Sequence, residues 1–173
     1  MARISYTDAT TNPELNELIA RISRERGGRL LNLYRALLNS PKIAEAWLQL
    51  FTVIRQQCDL PALYRELAIL SVALTNRADY EYRSHVPFAL KAGLKQAQLD
   101  ALPQWRTTSA FDEVQRAVLE YAEAMTKDVR VPDDVFQPVA RHFAPRQLLE
   151  LTVTIAGYNM VSRVLEALRI DHD

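Results

Sequence analysis

"LTVTIAGY", Leu151 to Tyr158, is the stretch on which the fold class turns. It alternates polar and apolar residues and is rich in β-branched side chains, as a half-buried strand would be. Its surroundings argue the other way. Leu148, Leu151, Ile155, Tyr158 and Val161 recur at helical spacing, and no turn residues bound the segment. The longer period decides it, and the segment is predicted as helix. Gly157 inside such a helix costs about 1 kcal/mol relative to alanine, so close helix packing is expected there. With this segment helical, no strand remains in the chain, and the predicted class is all-α.

The rest of the chain reads the same way. Asn12-Pro13 is a helix start, a capping residue followed by proline at the first helical position. Leu15, Leu18, Ile19 and Ile22 follow, and Gly27-Gly28 ends that helix. Leu30, Leu31, Tyr34, Leu37 and Leu38 mark a short second one. Ser40-Pro41 repeats the start signal before an amphipathic stripe of Ile43, Ala46, Trp47, Leu50, Phe51 and Ile54. Asp59 and Pro61 open a helix to about Asn76 whose apolar residues point in most directions, so it is expected at the centre. Asn76 to Gly93, "NRADYEYRSHVPFALKAG", follows as a helix kinked or broken near Pro87, with Gly93 as its cap. After "LKQAQLDALPQW", Arg106 to Ser109 form a polar loop. Ser109 and Asp112 resemble a capping box for a helix through Phe111, Val114, Val118, Tyr121 and Met125. A short helix ends near Phe143, and Pro145 opens the last one, to about Leu168.

A length of 173 residues is most simply one domain, residues 1–173. Hydrophobic residues make up 49% and charged residues 24%, enough for a sizeable core. Only four glycines argue against a sandwich or a Gly-rich nucleotide fold. Twenty-one basic residues balance 21 acidic ones, which leaves no electrostatic footprint for nucleic acid or an anionic membrane. No apolar run reaches the roughly 18 residues that span a bilayer. The N-terminus lacks the apolar core of a signal peptide, and one cysteine excludes an internal disulfide framework. A cytoplasmic protein without cofactor, acting on a small molecule, is the expectation.

An echo runs between "YRELAILSVAL" (Tyr64 to Leu74) and "LLELTVTIAGY" (Leu148 to Tyr158). Each places a glutamate, Glu66 or Glu150, near the start of a very apolar helix. Two related helical halves would explain it, as would chance among helical sequences. Glu66 itself has Ala62, Leu63, Ile69 and Leu70 as helical neighbours. A carboxylate on that face needs a partner or a shifted pKa, which makes it either a structural ion pair or a general acid or base. Glu81 and His85, four apart, share a helix face. They read as a surface pair or as a carboxylate that orients an imidazole. A metal is not expected, because His142 and His172 sit in unrelated contexts and no HxxxH or second ExxH occurs. Cys58 lies at a helix end with no histidine near in sequence. Tyr80, Tyr82, Tyr158 and Trp47 read as core or pocket wall.

Taken together, "YRELAILSVAL", "DYEYRSHVPFALKAG" and "GYNMVSRVLEAL" resemble the carboxymuconolactone decarboxylase family, which includes the AhpD-like alkylhydroperoxidases. The family pattern is a glutamate on one helix, then Tyr-Glu-Trp-x-x-His on the next. Arg65-Glu66 matches the first part. Tyr80-Glu81-Tyr82 and His85 match the second, with tyrosine for tryptophan, and the likeness runs from about Pro41 to Leu168. It implies an AhpD-like multi-helix bundle, a homo-oligomer (trimer or hexamer) and a pocket between helices. It also implies catalytic roles for Glu66, His85 and Glu81, with Tyr80, Tyr82 and Arg83 against the substrate. The hydroperoxidase branch carries Cys-x-x-Cys before its histidine. Those two positions are Ala78 and Glu81 here, so a thiol relay lacks its nucleophile. The decarboxylase branch works without it, by acid–base chemistry on a small carbonyl or lactone acid. A scaffold that has lost its thiols and serves in binding or assembly is the alternative.

Overall fold

The computed structural model describes all 173 residues and contains α-helices and short 3-10 turns but no strand. The helices are α1 (Asn16–Glu25), α2 (Asn32–Leu37), α3 (Pro41–Gln56), α4 (Ala62–Asn76), α5 (Asp79–Lys91), α6 (Gln96–Ala101), α7 (Glu113–Asp128), α8 (Asp133–His142) and α9 (Pro145–Leu168). They fall into two compact units, one of Met1–Gln57 with Val164–Asp173, the other of Cys58–Arg163.

In the first unit α1 and α2 pack on α3. The first helix opens as a 3-10 turn at Pro13–Leu15 before α1 begins. Gly27 and Gly28 end it with φ of 75° and 85°, a region that favours glycine. Arg26 then ties the unit together. Its Nε donates to the Tyr34 hydroxyl at 2.9 Å, and Nη1 and Nη2 reach Thr52 Oγ1 at 3.2 Å each. Thr52 in turn donates to Glu25 Oε2 at 2.6 Å. The chain ends meet as well, with Tyr6 donating to Asp171 at 3.0 Å.

The second unit is built on α4, which packs against α5 and α7, while α8 packs on α7. Every α4 residue from Glu66 to Ala73 is buried. Each fully buried Leu or Ile there contributes about 1.5–3 kcal/mol. The helix ends when Arg77 turns left-handed (φ 56°, ψ 35°). Ala78 N–H then bonds Ala73 O at 2.8 Å and Arg77 N–H bonds Leu74 O at 3.1 Å, a Schellman closure. α5 runs unbroken through Pro87, which is exposed. The expected capping box shifts by one turn. Asp112, not Ser109, caps α7, accepting from Gln115 N–H at 2.8 Å, and Gln115 Oε1 accepts from Asp112 N–H at 3.1 Å. "LKQAQLDALPQW" supplies α6 and the 3-10 turn Leu102–Gln104.

"LTVTIAGY" is helix, in the middle of α9. Its threonines carry no strand: Thr152 and Thr154 turn their hydroxyls back onto Leu148 O and Glu150 O, each at 2.7 Å. That satisfies the polar atom inside a helix. Leu151, Ile155 and Tyr158 are buried, as is Gly157. Asn159 links three helices. It donates to Thr126 of α7 at 2.9 Å and accepts from Asn76 of α4 at 3.0 Å. Both segments of the sequence echo lie in this unit. Their glutamates differ in use: Glu150 accepts from Leu60 N–H at 2.8 Å, ahead of α4, and pairs with Arg146.

Candidate active site

Glu66 sits in the second turn of α4, and His85 in the middle of α5. Both are nearly sealed from solvent, at 2% and 5% exposure. The antiparallel packing of the two helices brings Glu66 Oε2 to 2.7 Å from His85 Nδ1. The other oxygen, Oε1, takes a hydrogen bond and ion pair from Arg65 Nε at 3.2 Å. Burial pushes the Glu66 carboxyl up, but the hydrogen bond and charge of His85, and then Arg65, outweigh it. The group is held below its ordinary value and is ionised. Its lone pairs therefore orient the imidazole, and Nδ1–H donation to the carboxylate fixes the tautomer in which Nε2 is the basic nitrogen. Tyr158 stands edge-on to the His85 ring, with centroids 4.9 Å apart at 90°, and Phe88 lies at 5.8 Å.

Glu81 is buried, at 2% exposure, rather than part of a surface pair. Its Oε2 accepts from Ser162 Oγ on α9 at 2.5 Å. Tyr80 is buried too. Tyr82 is half-buried, its hydroxyl 3.5 Å from Leu99 O. Arg83, two residues before His85, projects from the other side of α5. It lies on the surface, paired with Asp79 at 2.8 Å, and is not brought to the Glu66–His85 pair. Cys58 is half-buried, and its thiol is pushed up, by burial first and then by Glu150, against the pull of Arg65 and Arg146. A raised thiol is a poor nucleophile. Ala78, at the head of α5, and Glu81 place no sulfur near His85. No cluster of three His, Cys, Asp or Glu side chains has metal-holding geometry, and no helix is long and apolar enough to cross a membrane.

Ser162 is the partner that sequence reasoning missed. It is buried on α9 beside Val161, and nothing in "NMVSRVL" marks its hydroxyl as meeting a carboxylate 81 residues earlier. Arg65 had only its adjacency to Glu66 to recommend it.

The chain is an all-helical, AhpD-like bundle that pairs a Glu and a His from adjacent helices and has no sulfur at either position of the Cys-x-x-Cys pattern. Residues 41–124 match the model of the carboxymuconolactone decarboxylase family, and the fold is that of AhpD-like helical proteins. A protein of unknown function from Agrobacterium tumefaciens, likened to the antioxidant defence protein AhpD, is 25% identical. It superposes with a TM-score of 0.73 over 79% of this chain and 94% of its own. The debrominase Bmp8, solved with 2,3,4-tribromopyrrole, shares the fold at 18% identity, with a TM-score of 0.82 over 98% of this chain and 91% of its own. The uncharacterized protein YdfG of Bacillus subtilis is 25% identical over 111 residues, 63% of this chain and 76% of its own.

Proposed function

We propose that the chain is a cofactor-free lyase or isomerase, acting on a small carbonyl or lactone-acid compound through Glu66 and His85. The observation that carries this reading is the 2.7 Å contact between an ionised, buried Glu66 and His85 Nδ1. That arrangement suits proton transfer, because the carboxylate stabilises the imidazolium that forms when Nε2 takes a proton. In a decarboxylation, the C–C bond to the carboxylate breaks and its electron pair passes into the unsaturated system. CO2 leaves, and the proton that Nε2 first took from the substrate's carboxylic acid is passed by the imidazolium to carbon, so that the acid gives CO2 and the protonated product. Glu81 and Tyr80, buried on the same helix, back the His85 side of the site, while Arg83, paired with Asp79 on the other side of α5, takes no part in it. The protein is cytoplasmic and a homo-oligomer in this reading. Leu149, Val153 and Met160, exposed along one face of α9, support self-association, which sedimentation velocity tests directly.

A panel of lactone acids and peroxides presented to purified protein tests the activity. Turnover of a lactone acid is expected, lowered by about two powers of ten or more in both Glu66→Gln and His85→Asn. Activity that survives both substitutions in folded protein overturns the reading.

One observation favours a second reading, a binding or assembly scaffold: both Glu66 oxygens are already engaged by protein groups. A purely structural pair tolerates joint replacement by apolar residues of similar volume. Glu66→Met with His85→Leu would then leave the protein as stable as before and its ligand binding intact.

A further inference from the structure

The second unit carries an open groove of about 460 Å3, lined chiefly by Leu74, Arg77, Ala78, Asp79, Tyr82 and Pro103. It lies at the α4–α5 turn. Leu74 is eight residues past Glu66, roughly 12 Å along the helix, and neither Glu66 nor His85 lines the groove, though Tyr82 stands one turn before His85. Its walls are the Leu74 side chain, the Tyr82 ring and Pro103. Two charged residues line it, Arg77 and Asp79. Arg83 Nε clamps Asp79 at 2.8 and 3.0 Å, to Oδ2 and Oδ1. Arg77 makes no ion pair and no side-chain hydrogen bond within the chain. The mouth of the groove therefore holds one uncompensated cation.

Arg77 is also in a place where the backbone asks for another residue. Its φ of 56° is left-handed, and a helix closed in this way usually ends in glycine. A side chain kept where the main chain is strained points to work done by that side chain.

We propose that this groove binds a small carboxylic acid with an apolar body, its carboxylate paired to Arg77 and its body laid against Leu74, Tyr82 and Pro103. The volume suits a ligand of that class, and guanidinium–carboxylate pairing supplies the orientation. Nothing in this assignment depends on Glu66 or His85 being catalytic.

Titration calorimetry with 3-phenylpropanoate and its neutral isostere 3-phenylpropan-1-ol tests it, with NMR shifts of the Leu74 methyls and the Tyr82 ring reporting the location. The acid is expected to bind at least about tenfold more tightly than the alcohol. Arg77→Gly suits the left-handed backbone, so it keeps the fold while abolishing that preference; Arg77→Lys keeps part of it. Equal affinity for acid and alcohol overturns the proposal. So does unchanged binding in folded Arg77→Gly, a shift pattern centred away from Leu74 and Tyr82, or no saturation by about 10 mM acid.

Discussion

Glu66 and His85, 19 residues apart in sequence, are joined side chain to side chain at 2.7 Å inside the second unit. Arg65 closes the other oxygen of the same carboxylate. Truncating Glu66 strands two basic groups in a buried place. Removing one partner of such a set costs about 3–5 kcal/mol, far more than the net worth of the pair. Glu66→Ala is expected to lose stability in that range, measured by urea unfolding. Glu66→Gln, which keeps shape and one acceptor, loses clearly less. Equal losses in the two variants would show that the charge alone, not the shape or the remaining acceptor, is what Glu66 supplies.

The depressed Glu66 pKa makes stability depend on acid. In the folded chain the carboxyl holds a proton less readily than in the unfolded chain, where its pKa is about 4.5. Its contribution is thus present in full above that ordinary value. It is lost as pH falls through the lower, folded-state value. Glu25, lowered first by its Thr52 hydrogen bond, contributes acid sensitivity of the same sign. Unfolding midpoints measured from neutral pH into this acid range should fall for the wild type and fall less steeply for Glu66→Gln. Parallel curves would remove Glu66 from the account.

At the start of α7, Asp112 and Gln115 exchange hydrogen bonds at 2.8 and 3.1 Å. Asp112→Ala should cost about 1 kcal/mol, the usual worth of an N-cap. Ser109→Ala, one turn earlier, should cost less than about 0.5 kcal/mol. Thermal melts of the two variants separate the positions, and the reverse order would restore Ser109 as the cap.

That cap shows where the sequence was legible and where it was not. Both Ser109 and Asp112 fit the first place of a capping pattern, but only Asp112 has an amide side chain three residues on to return the bond. The helices themselves were plain, because apolar spacing over ten or more residues outweighs local β-branching. Thr152 and Thr154 cost α9 little once their hydroxyls bond back along it. Glu66 was legible for a related reason, since a carboxylate among Leu63, Ile69 and Leu70 has to find a partner. Its partner His85 came from the family pattern rather than from spacing, which favoured Glu81. Arg65 was harder still. Neighbours on a helix point about 100° apart, and only the length of arginine lets Nε come back to the carboxylate. Ser162 left no trace at all, because a single hydroxyl meeting a carboxylate 81 residues away is purely a product of tertiary packing.

Ser162 Oγ has one proton and two acceptors within reach, Glu81 Oε2 at 2.5 Å and Tyr158 O at 2.9 Å. Glu81 Oε2 is the nearer acceptor, so the hydroxyl is assigned to Glu81. Ser162→Ala then takes a donor from a buried carboxylate, at a cost of about 1–3 kcal/mol. Were the proton on Tyr158 O instead, the loss would be small, since that bond only supplements the helix. A double-mutant cycle with Glu81→Gln isolates the pair. Coupling of about 1 kcal/mol or more is expected, whereas additive losses in urea unfolding would place the Ser162 proton on Tyr158 and leave Glu81 to be held by other groups.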